Sequence, residues 1–348
     1  MNKLPARLIS SLKFIVFLGI GVLLMYFAFR NIDLKRMLGD LKKANYAWIA
    51  LALVFSVISN FSRAYRWGML IEPIDKRPKL SNLFYSLSLG YFANLAFPRL
   101  GEVTRCTALY EVEKTPIDAL FGTVIAERII DVITLLILIF LSIISNVKLF
   151  GDYFMKMFRD HFLISTRFSS NAVIIILVVV AICFLFAYGL RKRIVQWTFV
   201  RKAVLFFKGI MDGLRSVLKL KKRKEFLFHS VLIWFLYYLS TYVSFFSIPE
   251  TSNLGFSAAL FILVLGGLGM SAPVQGGIGV YHVMVASGLT LFGIVPFIDP
   301  HTGDQISKGL LFATIVHSSQ MLLTLILGSI SIVMLNIEKR KELRNEKA

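Results

Sequence analysis

Apolar residues in this chain gather into runs long enough to measure against a bilayer. A helix needs roughly 20 mostly apolar residues to cross about 30 Å of hydrocarbon. Six runs reach that length, at about Leu8–Phe29, Ala47–Trp67, Ile117–Ile144, Ala172–Leu190, Phe226–Ile248 and Ile306–Leu335. The first follows Lys3 and Arg7 as a secretory leader would. It is too long for one and has no Ala-x-Ala-like site before Arg30, so it is expected to remain as an anchor. Two further runs, Leu80–Phe97 and Phe256–Ala272, end abruptly in Pro98-Arg99-Leu100-Gly101-Glu102 and Pro273-Val274-Gln275-Gly276-Gly277-Ile278-Gly279. Proline removes a backbone donor and glycine weakens the helix, so each run is expected to break and turn back instead of crossing.

Composition removes the main alternatives. Of 348 residues, 57% are apolar and 17% charged, against about 25% charged in soluble domains, which excludes a water-soluble globular protein. The 14% of aromatic residues excludes a disordered chain, which would collapse to bury them. A formal charge of +19 would suggest nucleic acid in a soluble protein. Here the positive residues lie between apolar runs, and the partners they imply are anionic lipid headgroups, with no nucleic acid. The expected fold is an all-α integral membrane protein of six full spans and two re-entrant helical hairpins, forming one polytopic domain over residues 1–348.

Loop charge orients it. Arg191–Lys224 carries twelve Lys or Arg against one Asp, whereas Pro249–Gly255 has one Glu and no positive residue. The basic loop, residues 191–225, should face the cytoplasm. Counting outward puts both termini inside, in agreement with five positives between Lys339 and Lys347. The segment Arg30–Lys43 falls outside in this arrangement despite its five positives. A bacterial-type inner membrane is the expected location, and a homo-oligomer is left open.

The order of features occurs twice. A shift of 175 residues superposes Pro98 on Pro273 and Gly101 on Gly276. Leu120-Phe121-Gly122-Thr123-Val124-Ile125 then reads like Leu311-Phe312-Ala313-Thr314-Ile315-Val316, with about sixteen extra residues between Phe292 and Lys308. Proline and glycine are common in membrane helices, so the inference rests on both matches falling in the same order. Three crossings separate the interrupted segments, which makes the halves, residues 8–145 and 172–335, an expected inverted repeat. Gly/Pro-interrupted segments at corresponding positions point to a midplane transport site.

Charged residues inside the runs are the candidates for chemistry, since each costs about 2.5–3.5 kcal/mol near a helix centre even on the lenient scale. Glu127 and Asp131 share a helix face, and Arg128 stands three residues from Asp131, within pairing reach. A buried structural ion pair and a substrate contact are both open readings. Arg63 and Arg66, near the inner end of their run, are placed to grip a phosphate or, the favoured reading, to snorkel. Asn94, Arg99, Glu102 and Arg105 flank the first break, where a re-entrant helix offers free N–H groups and glycine permits close approach. Gln275, Gly276, Gly277 and Gly279 offer amide donors in the second, followed by Tyr281 and His282. His317 and Gln320 are read first as packing groups that bond across helices. No zinc-ligand spacing joins the histidines, and Cys106 and Cys183 form no disulfide framework. No Walker loop, dinucleotide fingerprint or nucleophile elbow occurs; no metal or cofactor is expected.

Asn94, Pro98, Arg99, Gly101, Glu102 and Arg105, then Glu127, Arg128 and Asp131, and later Pro273, Gly276, Gly277 and Gly279 form a pattern over nearly the whole chain, roughly Leu8–Leu335. In this the chain resembles the flippase-like transmembrane region of lysylphosphatidylglycerol synthase, the multiple peptide resistance factor, and its stand-alone relatives. The resemblance implies translocation of a polar phospho- or glycolipid between leaflets through paired re-entrant helices, with those residues on the substrate. The soluble aminoacyl transferase domain is missing, so synthase activity is not expected. An acidic residue often stands in the family where this chain has His282, and an arginine where it has Ser318 and Ser319. The alternative is an integral-membrane enzyme that modifies a lipid or polyprenyl-phosphate headgroup, with Glu127 or Asp131 as base.

Overall fold

The computed structural model describes residues 34–149, 220–298 and 305–345, with isolated positions 19, 26 and 151. Apart from positions 19 and 26, the expected span Leu8–Phe29 lies outside the described residues, as do Ala172–Leu190, most of the basic loop, and Cys183, His161 and His301. The chain divides into two compact units, one of Met1–Ser142 with Lys219–Ala348 and one of Ile143–Leu218. Both interrupted segments and all the charged candidates belong to the first unit.

Nine helices carry the described part of the fold: α1 Leu34–Lys43, α2 Tyr46–Ile71, α3 Leu80–Ala96, α4 Leu100–Glu113, α5 Ile117–Ser145, α6 Arg223–Ser244, α7 Phe256–Ser271, α8 Val280–Thr290 and α9 Lys308–Asn345. Among the described residues four helical stretches are long and apolar enough to cross a membrane, Tyr46–Ile71, Ile117–Ser145, Arg223–Ser247 and Lys308–Glu342. These are the four expected spans that fall on described residues, with different ends. Asn45 starts α2 by accepting the Ala47 amide at 3.1 Å, satisfying one of the orphan donors of a first turn. The helix runs past Trp67 to Ile71 because its last turn packs inward, Gly68 facing Leu83. The extra residues between Phe292 and Lys308 hold an antiparallel pair, β1 Phe297–Ile298 with β2 Gln305–Ile306.

Both Pro/Gly interruptions are the turns of helical hairpins. Along α3 and α4 the pairings run in reverse order: Asn94 accepts the Gly101 amide at 2.7 Å, Gly90 faces Gly101 and Arg105, and the Asn82 amide donates to Glu113 at 2.7 Å. Along α7 and α8, Gly269 faces the Tyr281 backbone and Gly288 faces Ile262 and Leu265. Lipid tails are as apolar as leucine, so such helices associate through close packing and polar contacts more than through hydrophobic burial. Glycine at the crossings supplies that closeness.

The bases of the two hairpins lie at opposite ends of the bundle. At one end Lys222 meets Glu72 at 3.1 Å, Lys79 meets Glu338 at 3.7 Å and Lys339 pairs with Glu111; the base of α3–α4 lies here. Lys339 holds the Glu111 carboxyl below the usual carboxylate range. At the other end the Asn45 amide donates to the Ser247 carbonyl at 2.8 Å, and Lys308 meets Asp40 at 2.8 Å and Glu250 at 2.9 Å. The base of α7–α8 lies there, just after Glu250. The two turns meet between the ends, where a Cβ at Gly276 would stand 3.1 Å from Leu95 Cδ2 and 3.9 Å from Met321. The first hairpin is seated in a core that includes Trp67 and Ile71 of α2, Leu83 and Leu87 of α3, Cys106 and Leu109 of α4, and Leu120 and Val124 of α5.

Candidate functional site

Three helices, α2, α4 and α5, bring charge together at the first hairpin. Glu127 on α5 is fully buried. Its Oε1 accepts from Arg63 Nε at 2.7 Å and lies 3.3 Å from Arg66 Nη2, while its Oε2 lies 2.9 Å from Arg105 Nη1. Asp131, one turn on, takes Arg66 Nη2 at 2.8 Å and pairs with Arg63. Arg63 Nη1 also donates to the hydroxyls of Tyr91 on α3 and Tyr237 on α6, at 3.2 and 3.3 Å. Arg66 Nη1 donates to Ser230 on α6 at 3.2 Å. The Arg105 guanidinium lies over the Trp67 ring, 4.8 Å from its centre, and Trp67 in turn donates to Thr123 at 2.9 Å.

Two expectations are corrected here. Arg63 and Arg66 do not snorkel: both are buried, because carboxylates inside the bundle give their forks a better partner than a distant headgroup layer. Arg128 does not pair with Asp131, whose oxygens are taken by α2; it turns outward to Glu102 on α4, 2.9 Å away, as the half-exposed edge of the cluster. Glu127 is engaged by three guanidiniums, an arrangement that disfavours proton abstraction and so does not favour the enzymatic reading. Tyr91, Tyr237 and Trp67 are the members that sequence reasoning missed. Aromatic residues are frequent in such helices, and nothing local to these three sets them apart.

At the first turn Pro98 and Arg99 link the helices, with Arg99 exposed in a left-handed conformation, φ 67°. The Gly101 amide is held by Asn94, and a Cβ at Gly101 would strike the Gly90 carbonyl and the Asn94 side chain. Gly101 therefore serves the approach of α3 to α4, and its N–H is not open to a ligand as expected.

The second turn follows Pro273 and carries Gly276, Gly277 and Gly279 at φ 56°, 73° and 83°, a region costly to any other residue. Gln275 is buried at this turn. Beyond it the rings of Tyr281 and His317 stack at 4.7 Å, and His282 meets His317 edge-on at 5.0 Å. Gln320, one turn from His317, donates to Ser56 on α2 at 2.8 Å. Ser56, Ser59, Arg63 and Arg66 follow one another at helical spacing along α2 and all four are buried. A polar stripe thus runs from the second hairpin's turn to the charge cluster of the first. Among the described residues no group of three or more His, Cys, Asp or Glu is arranged to hold a metal.

Comparison with known proteins gives two findings. A family model described as the lysylphosphatidylglycerol synthase TM region matches residues 12–328. A UPF0104 membrane protein of Methanocaldococcus jannaschii is 26% identical over 134 residues, and the match covers 38% of this chain and 38% of that relative. No solved structure matches.

Proposed function

The chain belongs to the family of the lysylphosphatidylglycerol synthase TM region, and from that premise we propose that it moves a polar lipid between the leaflets of a bacterial-type cytoplasmic membrane. The observation that carries the reading is the meeting of two hairpin turns, Leu95 against Gly276, beside the polar stripe of α2. In a bilayer, helices interrupted at mid-depth are tolerated where they are packed in protein or line a polar cavity. Opposed hairpins then give each leaflet its own interrupted helix, as in inverted-repeat transporters. The headgroup would follow the stripe from Gln320 and Ser56 to Arg63 and Arg66 while the acyl chains stay in lipid. Residues at both turns (Asn94, Pro98, Arg99 and Glu102; Pro273, Gln275, Gly276, Gly277, Gly279 and His282), with Arg128 of α5 beside Glu102, are the proposed frame of that path. The basic end of the bundle, with Lys222 and Lys339, would face the cytoplasm.

Proteoliposomes carrying a fluorescent phospholipid in both leaflets test this, with a membrane-impermeant quencher reporting the outer leaflet. Purified protein is expected to bring the inner-leaflet fraction within reach of the quencher. Exchange no faster than in empty vesicles, across anionic, zwitterionic and glycosylated lipids, would contradict the proposal.

A further inference from the structure

The buried cluster is one anion short. Arg63, Arg66 and Arg105 face Glu127 and Asp131, and adding the Arg128–Glu102 pair at the edge keeps the imbalance, four guanidiniums against three carboxylates. Arg105 is 3% exposed, yet its Nε and Nη2 have no hydrogen-bond partner among the described residues, and neither has Arg66 Nε. Its one ion pair is through Nη1 to Glu127, and its face rests on Trp67. Burying a guanidinium with two donors unused is costly. The free edge of the fork instead matches two oxygens of a phosphate, which arginine binds bidentately.

We infer that Arg105 is the seat of a phosphate group, and that the lipid carried along the path proposed above is one whose headgroup is anionic there. The inference rests on the lipid-transport reading for its ligand. The Arg128–Glu102 pair is the more exposed part of the cluster, with Glu102 Oε2 buried and unpartnered three residues from Arg105.

Binding can be read without leaflets. The full chain in a non-ionic detergent and phosphate-free buffer is titrated with dihexanoylphosphatidic acid, with dihexanoylglycerol, which lacks only the phosphate, and with inorganic phosphate. The signal is Trp67 fluorescence, taken as the difference from Trp67→Phe. Dihexanoylphosphatidic acid is expected to change the signal and raise the unfolding temperature, and dihexanoylglycerol to do neither. Arg105→Gln should weaken binding about tenfold or more, the scale of a lost charge-assisted bond; because it also breaks the buried pair with Glu127, its binding is compared with the parent's at a temperature where the lipid-free variant is folded. Arg105→Lys, which keeps the charge and loses the fork, should fall between. A response to inorganic phosphate as strong as to the phosphatidic acid would support the phosphate seat and assign it to the free anion. Equal responses to the phosphatidic acid and dihexanoylglycerol, or equal affinity in the parent and Arg105→Gln, would overturn the inference. Lipid exchange in proteoliposomes is scored separately: exchange without Arg105-dependent binding removes this inference alone, and binding without exchange removes the transport reading alone.

Discussion

A carboxylate that serves several buried guanidiniums costs more to remove than one that serves fewer, because each arginine it leaves must remain charged. Glu127 lies against Arg63, Arg66 and Arg105, Asp131 against Arg63 and Arg66. Breaking a buried pair from one side costs about 3–5 kcal/mol. Glu127→Gln is therefore expected to lower the thermal unfolding temperature in detergent strongly, and Asp131→Asn less; equal losses would show that the ranking by partners is mistaken. Tyr91→Phe should cost about 1 kcal/mol, one hydrogen bond, in the same measurement. The charged group was legible in the sequence because Glu127, Arg128 and Asp131 interrupt an apolar run where charge is expensive. Its pairing was not. Spacing along one helix suggested Arg128 for Asp131, whereas the partners Arg63 and Arg66 arrive from α2, more than sixty residues away, and only packing decides such matches.

Within the hairpins, glycine acts by distance. A Cβ at Gly101 would meet the Gly90 carbonyl and Asn94, so Gly101→Ala must push α3 from α4. Overpacking of this kind costs about 1–3 kcal/mol. Gly122 on α5 is exposed with nothing within 4 Å of a Cβ, and Gly122→Ala should be neutral or stabilising by about 0.5–1 kcal/mol through helix propensity. Unfolding midpoints of the two variants in the same detergent check the contrast, and a loss at both positions would contradict it. Pro98 and Pro273 made the breaks visible in advance, since proline ends an apolar run with a physical reason attached. The purpose of Gly101 was not visible. Close approach to a ligand and close approach to a helix demand the same residue, and only the location of Gly90 and Asn94 distinguishes them.

Across the described residues, basic side chains are more numerous at one end of the bundle, while α1 brings Lys42 and Lys43 to the other, beside Asp40. Lys76, Arg77, Lys79, Lys114, Lys221, Lys222 and Lys339 gather at the base of the first hairpin, whereas Lys308 at the base of the second is offset by Asp40 and Glu250. On the proposed transport reading, the positive-inside rule would put the first end in the cytoplasm. The four candidate spans among the described residues were legible from length and apolarity alone. The meeting of Leu95 with Gly276 was not, because the repeat in sequence states an order of elements and not the depth at which they stop. Everything proposed for transport depends on each hairpin leaving by the face it entered. Single cysteines at Lys76, Lys114, Asn253 and Val295, all exposed, in a background without Cys106 and Cys183, test this with a membrane-impermeant maleimide. Lys76→Cys and Lys114→Cys should react only in inside-out vesicles, and Asn253→Cys and Val295→Cys only in intact cells. A hairpin whose two flanks react from opposite faces would contradict the account.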